Sequence, residues 1–371
     1  MRGSPKIFTA LLLLMLLLFH LQQHIEFPRL KQLRGAFHQS EFPSLSWESW
    51  TNGDFQSAFE AYQKDHLGYR PSLIRIHNQL HYSLFDKIHH KDIFRGKSEH
   101  LLGQEYVDSY RAKDLEKDSV VNARAANLAL LNQYLLKNKK MMLVVFAPDK
   151  AFAMPEEFGL SPNEQQPSNS TKWRQALANN AIPYIDFRRH FKSLVDTSAY
   201  PVFTKTGIHW NVWGMRNAAD SIAGFINAHS SYQLPRMMVE ANMWTNDYPP
   251  IEKDLENALN LWLPLEKEEM PYQRYKMDSS GSKPKVLVIS DSFFYEMYSG
   301  GLANQFFDAP FFWYYNTTAL KYDWEDAPRN PKEYALDSLM QETDIVVLMS
   351  SATNLKDFPW AFDARVAKTQ F

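Results

Sequence analysis

The run Lys285-Val-Leu-Val-Ile289 leads directly into Ser290, Asp291 and Ser292. A serine at the end of a parallel strand, with a helix N-terminus following, meets backbone N–H groups able to hold an oxyanion. The same position also suits an ordinary N-cap, for which Ser and Asp are both preferred. A base within hydrogen-bond reach would separate the two readings. The best candidate is His209 in Thr206-Gly-Ile-His-Trp-Asn211, a glycine-containing loop just before a helical pattern. Gly207 and Trp210 make a constrained, aromatic-walled site there, although the distance in sequence to Ser292 leaves contact open. Lys150, after Pro148, either lines the same crevice or caps a strand.

Composition narrows the alternatives. The chain has 371 residues, 45% hydrophobic and 22% charged, which suits a globular fold rather than low-complexity disorder. It contains no cysteine, which excludes disulfides, thiolate metal ligands and thiol nucleophiles. The formal net charge is -2, with no broad basic footprint for nucleic acid. No Gly-rich phosphate loop occurs, and the His89-His90-Lys91 cluster lacks a carboxylate at ligand spacing, so neither cofactor nor metal is expected.

These residues need elements to carry them. Arg2 and Lys6 precede the apolar run Ile7 to Phe19, and no A-x-A-like site follows, so residues 1 to 26 read as an uncleaved signal anchor. Flanking residues would extend this short run toward the roughly 20 needed to cross a bilayer. The preceding positive charges place the remainder outside the cytoplasm. Two amphipathic helices joined at Gly68 come next, then a hairpin over Asp92 to Leu102. Helix and strand then alternate: helix 119–136, strand 141–150 ending at Pro148, helix 171–178, strand 183–187 and helix 211–228. The strands 285–289, 307–316 and 343–351 complete a parallel-sheet pattern. Residues 229–284, rich in Pro, Met and charge and without a clean period, read as an insertion or cap within one domain spanning 27–371.

The ordered set of Gly68-Tyr-Arg70, Arg95-Gly-Lys-Ser-Glu-His-Leu-Leu102, Ala147-Pro-Asp-Lys150, His209-Trp210 and Ser290-Asp-Ser-Phe293 resembles the SGNH hydrolase-like domain of the alginate O-acetyltransferase family, of the AlgX and AlgJ type. The resemblance implies an α/β fold of the SGNH hydrolase-like (flavodoxin-like) kind, a parallel sheet flanked by helices with permuted motif order. It implies Ser292 as nucleophile and His209 as base. It also places Tyr298 in the pocket, alongside Trp210 and Asp291, and Asn354 as an oxyanion asparagine. Tyr298 has an equally open reading as a core or helix-surface tyrosine, and Asp291 one as a helix cap.

Two departures stand out. The family's Asp-x-His-Trp acid is replaced by Gly207, and the glycine of Gly-Asp-Ser is replaced by Ser290. A triad carboxylate orients its histidine and stabilises the imidazolium, so a backbone carbonyl or a carboxylate such as Asp186 would have to substitute. The function implied is transfer of acetyl groups to an extracytoplasmic polysaccharide through acetyl-Ser292. The implied donor is a membrane-bound O-acyltransferase, and the implied location is the bacterial inner membrane with the domain facing the periplasm or cell exterior. An acetylesterase and a degenerate glycan-binding scaffold are the competing readings.

Overall fold

Side chains along the expected strands alternate between two apolar layers, one on each face of a single sheet. In this computed structural model, residues 5–25, 27–35, 39–161, 167–278, 281–321 and 327–371 are described. The strands are β1 (Ile93–Arg95), β2 (Leu101–Gly103), β3 (Met141–Phe146), β4 (Tyr184–Asp186), β5 (Met237–Thr245), β6 (Met270–Met277), β7 (Lys285–Ser290), β8 (Asp308–Tyr314), β9 (Thr318–Leu320) and β10 (Ile345–Ser350). Six of them form the central sheet in the order β4-β3-β10-β7-β8-β9, parallel except for the β8/β9 edge pair.

Leu143, Val145, Val286, Val288, Ile345 and Val347 face one layer, closed by helices Phe187–Thr197, Val212–His229 and Ser292–Ser299. Met142, Val144, Leu287, Ile289, Val346 and Leu348 face the other, closed by helices Asp118–Lys137 and Asn169–Asn179. Burial on both faces explains why these strands read as continuous apolar runs without alternating polarity. The chain therefore has the expected α/β architecture, a mostly parallel sheet flanked by helices.

The chain divides into two compact units, residues 1–91 with 255–266, and residues 92–254 with 267–371. The first contains helices Pro5–Ile25, Asp54–His66 and Arg70–Phe85. Within it the Arg75 guanidinium donates to the carbonyls of Lys31 and Gln32, each at 2.7 Å. Lys6–Ile25 is long and apolar enough to cross a membrane. The second unit carries the sheet, the β1/β2 hairpin and the β5/β6 antiparallel hairpin.

That second hairpin lies in the stretch where no period was legible. Only one of its strands has a well-buried end, at Met270 and Pro271, and β5 has a register shift between Val239 and Ala241. Mostly exposed, irregular pairing leaves no apolar alternation to detect.

Candidate active site

The candidate residues gather at the carboxyl ends of β3, β7 and β10, the edge at which open α/β sheets hold their ligands. β7 ends at Ser290, Asp291 is the N-cap of the next helix, and Ser292 is that helix's first residue. Asp291, not Ser292, supplies the cap, through its Oδ1 accepting from the Phe293 N–H at 3.2 Å. Capping by the neighbour leaves the Ser292 hydroxyl for other partners.

One such partner is His209, whose Nε2 is 2.8 Å from Ser292 Oγ. The imidazole is buried, with the Phe293 ring centroid at 4.8 Å, while Ser292 stays partly accessible. Behind the ring, Asp254 Oδ2 lies 2.9 Å from Nδ1. The contact has ion-pair distance without hydrogen-bond alignment. The other carboxylate oxygen accepts from the Ile208 N–H at 2.9 Å, which ties Asp254 to the loop that carries the histidine.

The carboxylate behind His209 thus comes from neither Asp186 nor a main-chain carbonyl. Asp186 is engaged elsewhere, accepting from the Arg188 N–H at 3.1 Å and lying 3.5 Å from the Arg174 guanidinium. Asp254 sits inside the stretch with no legible period, and no motif marks it. The available signal was the absence of an acid at Gly207 together with the acidic run Glu252-Lys-Asp-Leu-Glu256. Gly207 itself has a steric cause: a Cβ there would collide with the carbonyl of Glu252. The backbone that delivers Asp254 occupies the space an aspartate side chain at position 207 would need.

Several groups hold the histidine loop. Lys150, at the first turn after β3, is fully buried, and its ammonium donates to the carbonyls of Gly207 and, at 3.2 Å, Leu101. Burial lowers its pKa to about 7, opposed by Asp254 and Glu157. Asn211 caps helix Val212–His229 by accepting from the Gly214 N–H at 2.8 Å. Glu252 accepts from the Val212 N–H at 2.7 Å and from the Tyr272 hydroxyl. Trp210 is fully buried against Phe293, at 5.2 Å between centroids, so it forms a wall behind the histidine.

The remaining sequence candidates divide by position. Asp291 Oδ2 accepts from the Ser351 N–H at 2.7 Å and from Asn354 Nδ2 at 3.0 Å, joining the ends of β7 and β10. As a carboxylate it is an acceptor and cannot donate to an oxyanion. Asn354 Nδ2 also reaches Ser351 Oγ at 3.1 Å and the Tyr315 hydroxyl at 3.4 Å. Tyr298 is fully buried, its ring centroid 5.3 Å from that of Phe312 within the core layer. A tyrosine that does stand at the strand ends is Tyr315, whose hydroxyl accepts from Asn354 Nδ2 at 3.4 Å and whose backbone is left-handed at φ 49°. Burial and the Asp291 charge push the Tyr315 pKa up, keeping its O–H available as a donor. Nothing in Tyr314-Tyr315-Asn316 distinguishes it from a strand end, so sequence reasoning passed over it.

Glu252 and Glu296 add a buried acidic pair. Burial raises Glu252 to about 7, and raises Glu296 well above the usual carboxylate range with Glu252 and Asp254 adding to it. The folded chain therefore keeps a proton on Glu252 that an unfolded chain loses between about pH 4.5 and 7, so stability falls as pH rises through that window. Glu252→Gln should raise the melting temperature at pH 8 by several degrees, at roughly 2–4 °C per kcal/mol, and change it little at pH 5. Thermal melts at both pH values check this, and equal shifts would contradict it.

A strand-end serine with a histidine at 2.8 Å and a carboxylate behind it, on a parallel α/β sheet, has the arrangement of an SGNH hydrolase-like protein. The chain belongs to the family of the SGNH hydrolase-like domain of acetyltransferase AlgX, whose model matches residues 102–287. That match contains His209 and Asp254 and ends short of Ser292.

The chain is similar in structure to the O-acetyltransferase domain of Pseudomonas putida AlgJ, with TM-score 0.48 and 13% identity, covering 75% of this chain and 99% of that one. It is also similar to Bacillus cereus PatB1, with TM-score 0.44 and 13% identity, covering 71% and 96%. For Pseudomonas aeruginosa AlgX the TM-score is 0.43 at 12% identity, covering 71% and 67%. No curated protein matches the sequence.

Proposed function

We propose that the chain is an extracytoplasmic O-acetyltransferase that esterifies hydroxyl groups of a polysaccharide through an acetyl-Ser292 intermediate. The observation that carries the reading is the Ser292–His209–Asp254 chain of contacts in a member of an acetyltransferase family.

In this mechanism His209 Nε2 takes the Ser292 proton as Oγ attacks the acetyl carbonyl of the donor. The tetrahedral oxyanion is met by the Ser292 N–H, which has no intrahelical acceptor at the first helical position, with Asn354 or its neighbour Tyr315 as side-chain donor. Asp254 stabilises the imidazolium, which returns the proton to the leaving group. A sugar hydroxyl then gives its proton to His209 and attacks the acetyl-serine. The second collapse releases the sugar ester and restores the Ser292 hydroxyl.

The apolar helix Pro5–Ile25 would hold the chain in the bacterial inner membrane with the catalytic unit facing the periplasm. There it would receive acetyl groups from a membrane-bound O-acyltransferase. If water replaces the sugar in the second step, the same site is an acetylesterase.

The test is to load the full-length chain in detergent with a chromogenic acetyl ester and follow the acetyl group with and without a hexasaccharide acceptor. Acetylated sugar formed at the expense of free acetate is the expected result. Acetate alone at saturating sugar would make the protein an esterase, and no acetyl adduct on folded protein would remove the enzymatic reading.

A further inference from the structure

We propose that the β5/β6 hairpin face bearing Trp244, together with Tyr200 and Trp213, is a binding subsite for pyranose rings of the acceptor chain. The proposal rests on the transferase reading above and deepens it by naming where the acceptor is held.

The Trp244 side chain is 52% exposed. Its ring centroid is 5.6 Å from Tyr200, which in turn meets Trp213 edge-on at 5.1 Å. A ladder of polar groups accompanies these rings. Gln273 Nε2 donates to Asn242 Oδ1 at 2.9 Å, and Asn242 Nδ2 donates to the Tyr200 hydroxyl at 3.2 Å. Asn242 and Gln273 are direct cross-strand partners, and Trp244 lies two residues along on the same face.

Three buried polar atoms in this region have no hydrogen-bond partner. Gln273 is buried and its Oε1 accepts no hydrogen bond. The Arg216 guanidinium lies 5.4 Å from the Trp213 ring, with Nη2 3.9 Å from Asp220 Oδ2 and with Nε and Nη1 unbonded. Buried polar atoms are normally satisfied, so these three call for an explanation.

A pyranose ring offers what this surface is built to receive. One ring face presents C–H groups suited to an indole, and its edge presents hydroxyls suited to amides and a phenol. A membrane surface would match the exposed indole but has no use for the amide and tyrosine ladder.

Position supports the same occupant. Trp213 is in the first turn of the helix capped by Asn211, two residues after His209. β5 and β6 bracket the chain that delivers Glu252 and Asp254, and Tyr272 of β6 bonds Glu252 directly. An acceptor gripped here is held by the segments that also hold the candidate base and its acid.

The experiment compares Ser292→Ala with Ser292→Ala/Trp244→Ala and Ser292→Ala/Trp244→Phe in full-length chain in detergent, titrated with β-1,4-linked glucose and mannuronate hexamers by calorimetry. At least tenfold weaker binding of one hexamer to the alanine variant, largely restored by phenylalanine, is expected. Equal affinity of all three proteins, or no binding of either hexamer up to millimolar concentration, would overturn the subsite.

In the otherwise wild-type protein, Trp244→Ala should raise the acceptor KM by more than it lowers kcat. Absence of any acetyl adduct on Ser292 would remove the transferase reading while the calorimetric comparison still decides whether the platform binds sugar.

Discussion

Ser292→Ala should eliminate the covalent acetyl adduct and lower turnover of an activated acetyl ester by about 10⁶-fold, the scale on which removal of a serine nucleophile acts in a serine–histidine–acid site. The reason is that, among the described residues, no other hydroxyl is paired with His209 to take its place. The serine is the residue His209 contacts at 2.8 Å, and its neighbours Ser290 and Asp291 are fully buried. The variant should fold normally, because the helix that begins at Ser292 is capped by Asp291 and that bond does not involve the serine side chain. Intact-mass spectrometry and a melting curve on the same sample check both parts. An adduct that persists on folded Ser292→Ala would mean that another side chain carries the acyl group.

Asp254→Asn should reduce turnover by roughly 10³–10⁴-fold, because an amide in place of the carboxylate favours the wrong imidazole tautomer and cannot stabilise the imidazolium. Asp254 is 30% exposed at its side chain, which places its expected effect toward the lower end of that range. Placing an acid at the family's usual position should not compensate. Gly207→Asp puts a Cβ into the Glu252 carbonyl, so the double variant Gly207→Asp/Asp254→Asn should melt lower than Asp254→Asn and show no recovery. Ester-hydrolysis rates with parallel melting curves provide the measurement. Recovery in the double variant would show that the loop can relax and that Gly207 is not sterically required.

Much of the sheet was legible because its strands are buried on both faces. Runs such as Met141-Met-Leu-Val-Val-Phe146 and Ile345-Val-Val-Leu-Met349 have few alternatives to a central parallel strand. The β5/β6 hairpin was not legible, since a largely exposed ribbon leaves no apolar alternation. The short edge strand β9 likewise escaped notice, with only three residues to signal it.

The candidate site divides along the same physical line. The sequence by itself determined that a serine follows a buried strand, that a histidine sits in a glycine-containing loop before a helix, and that the family's acid is absent at Gly207. These are local facts about residue type and immediate neighbours. Only the tertiary structure decided that Asp291 is the cap, that Tyr315 rather than Tyr298 meets Asn354 at the strand ends, and that Asp254 stands behind His209. Each of these depends on which chain ends meet at the carboxyl edge of the sheet. A carboxylate can reach the same imidazole from any segment whose backbone passes within a few ångströms, so its place in the chain is fixed by packing rather than by spacing.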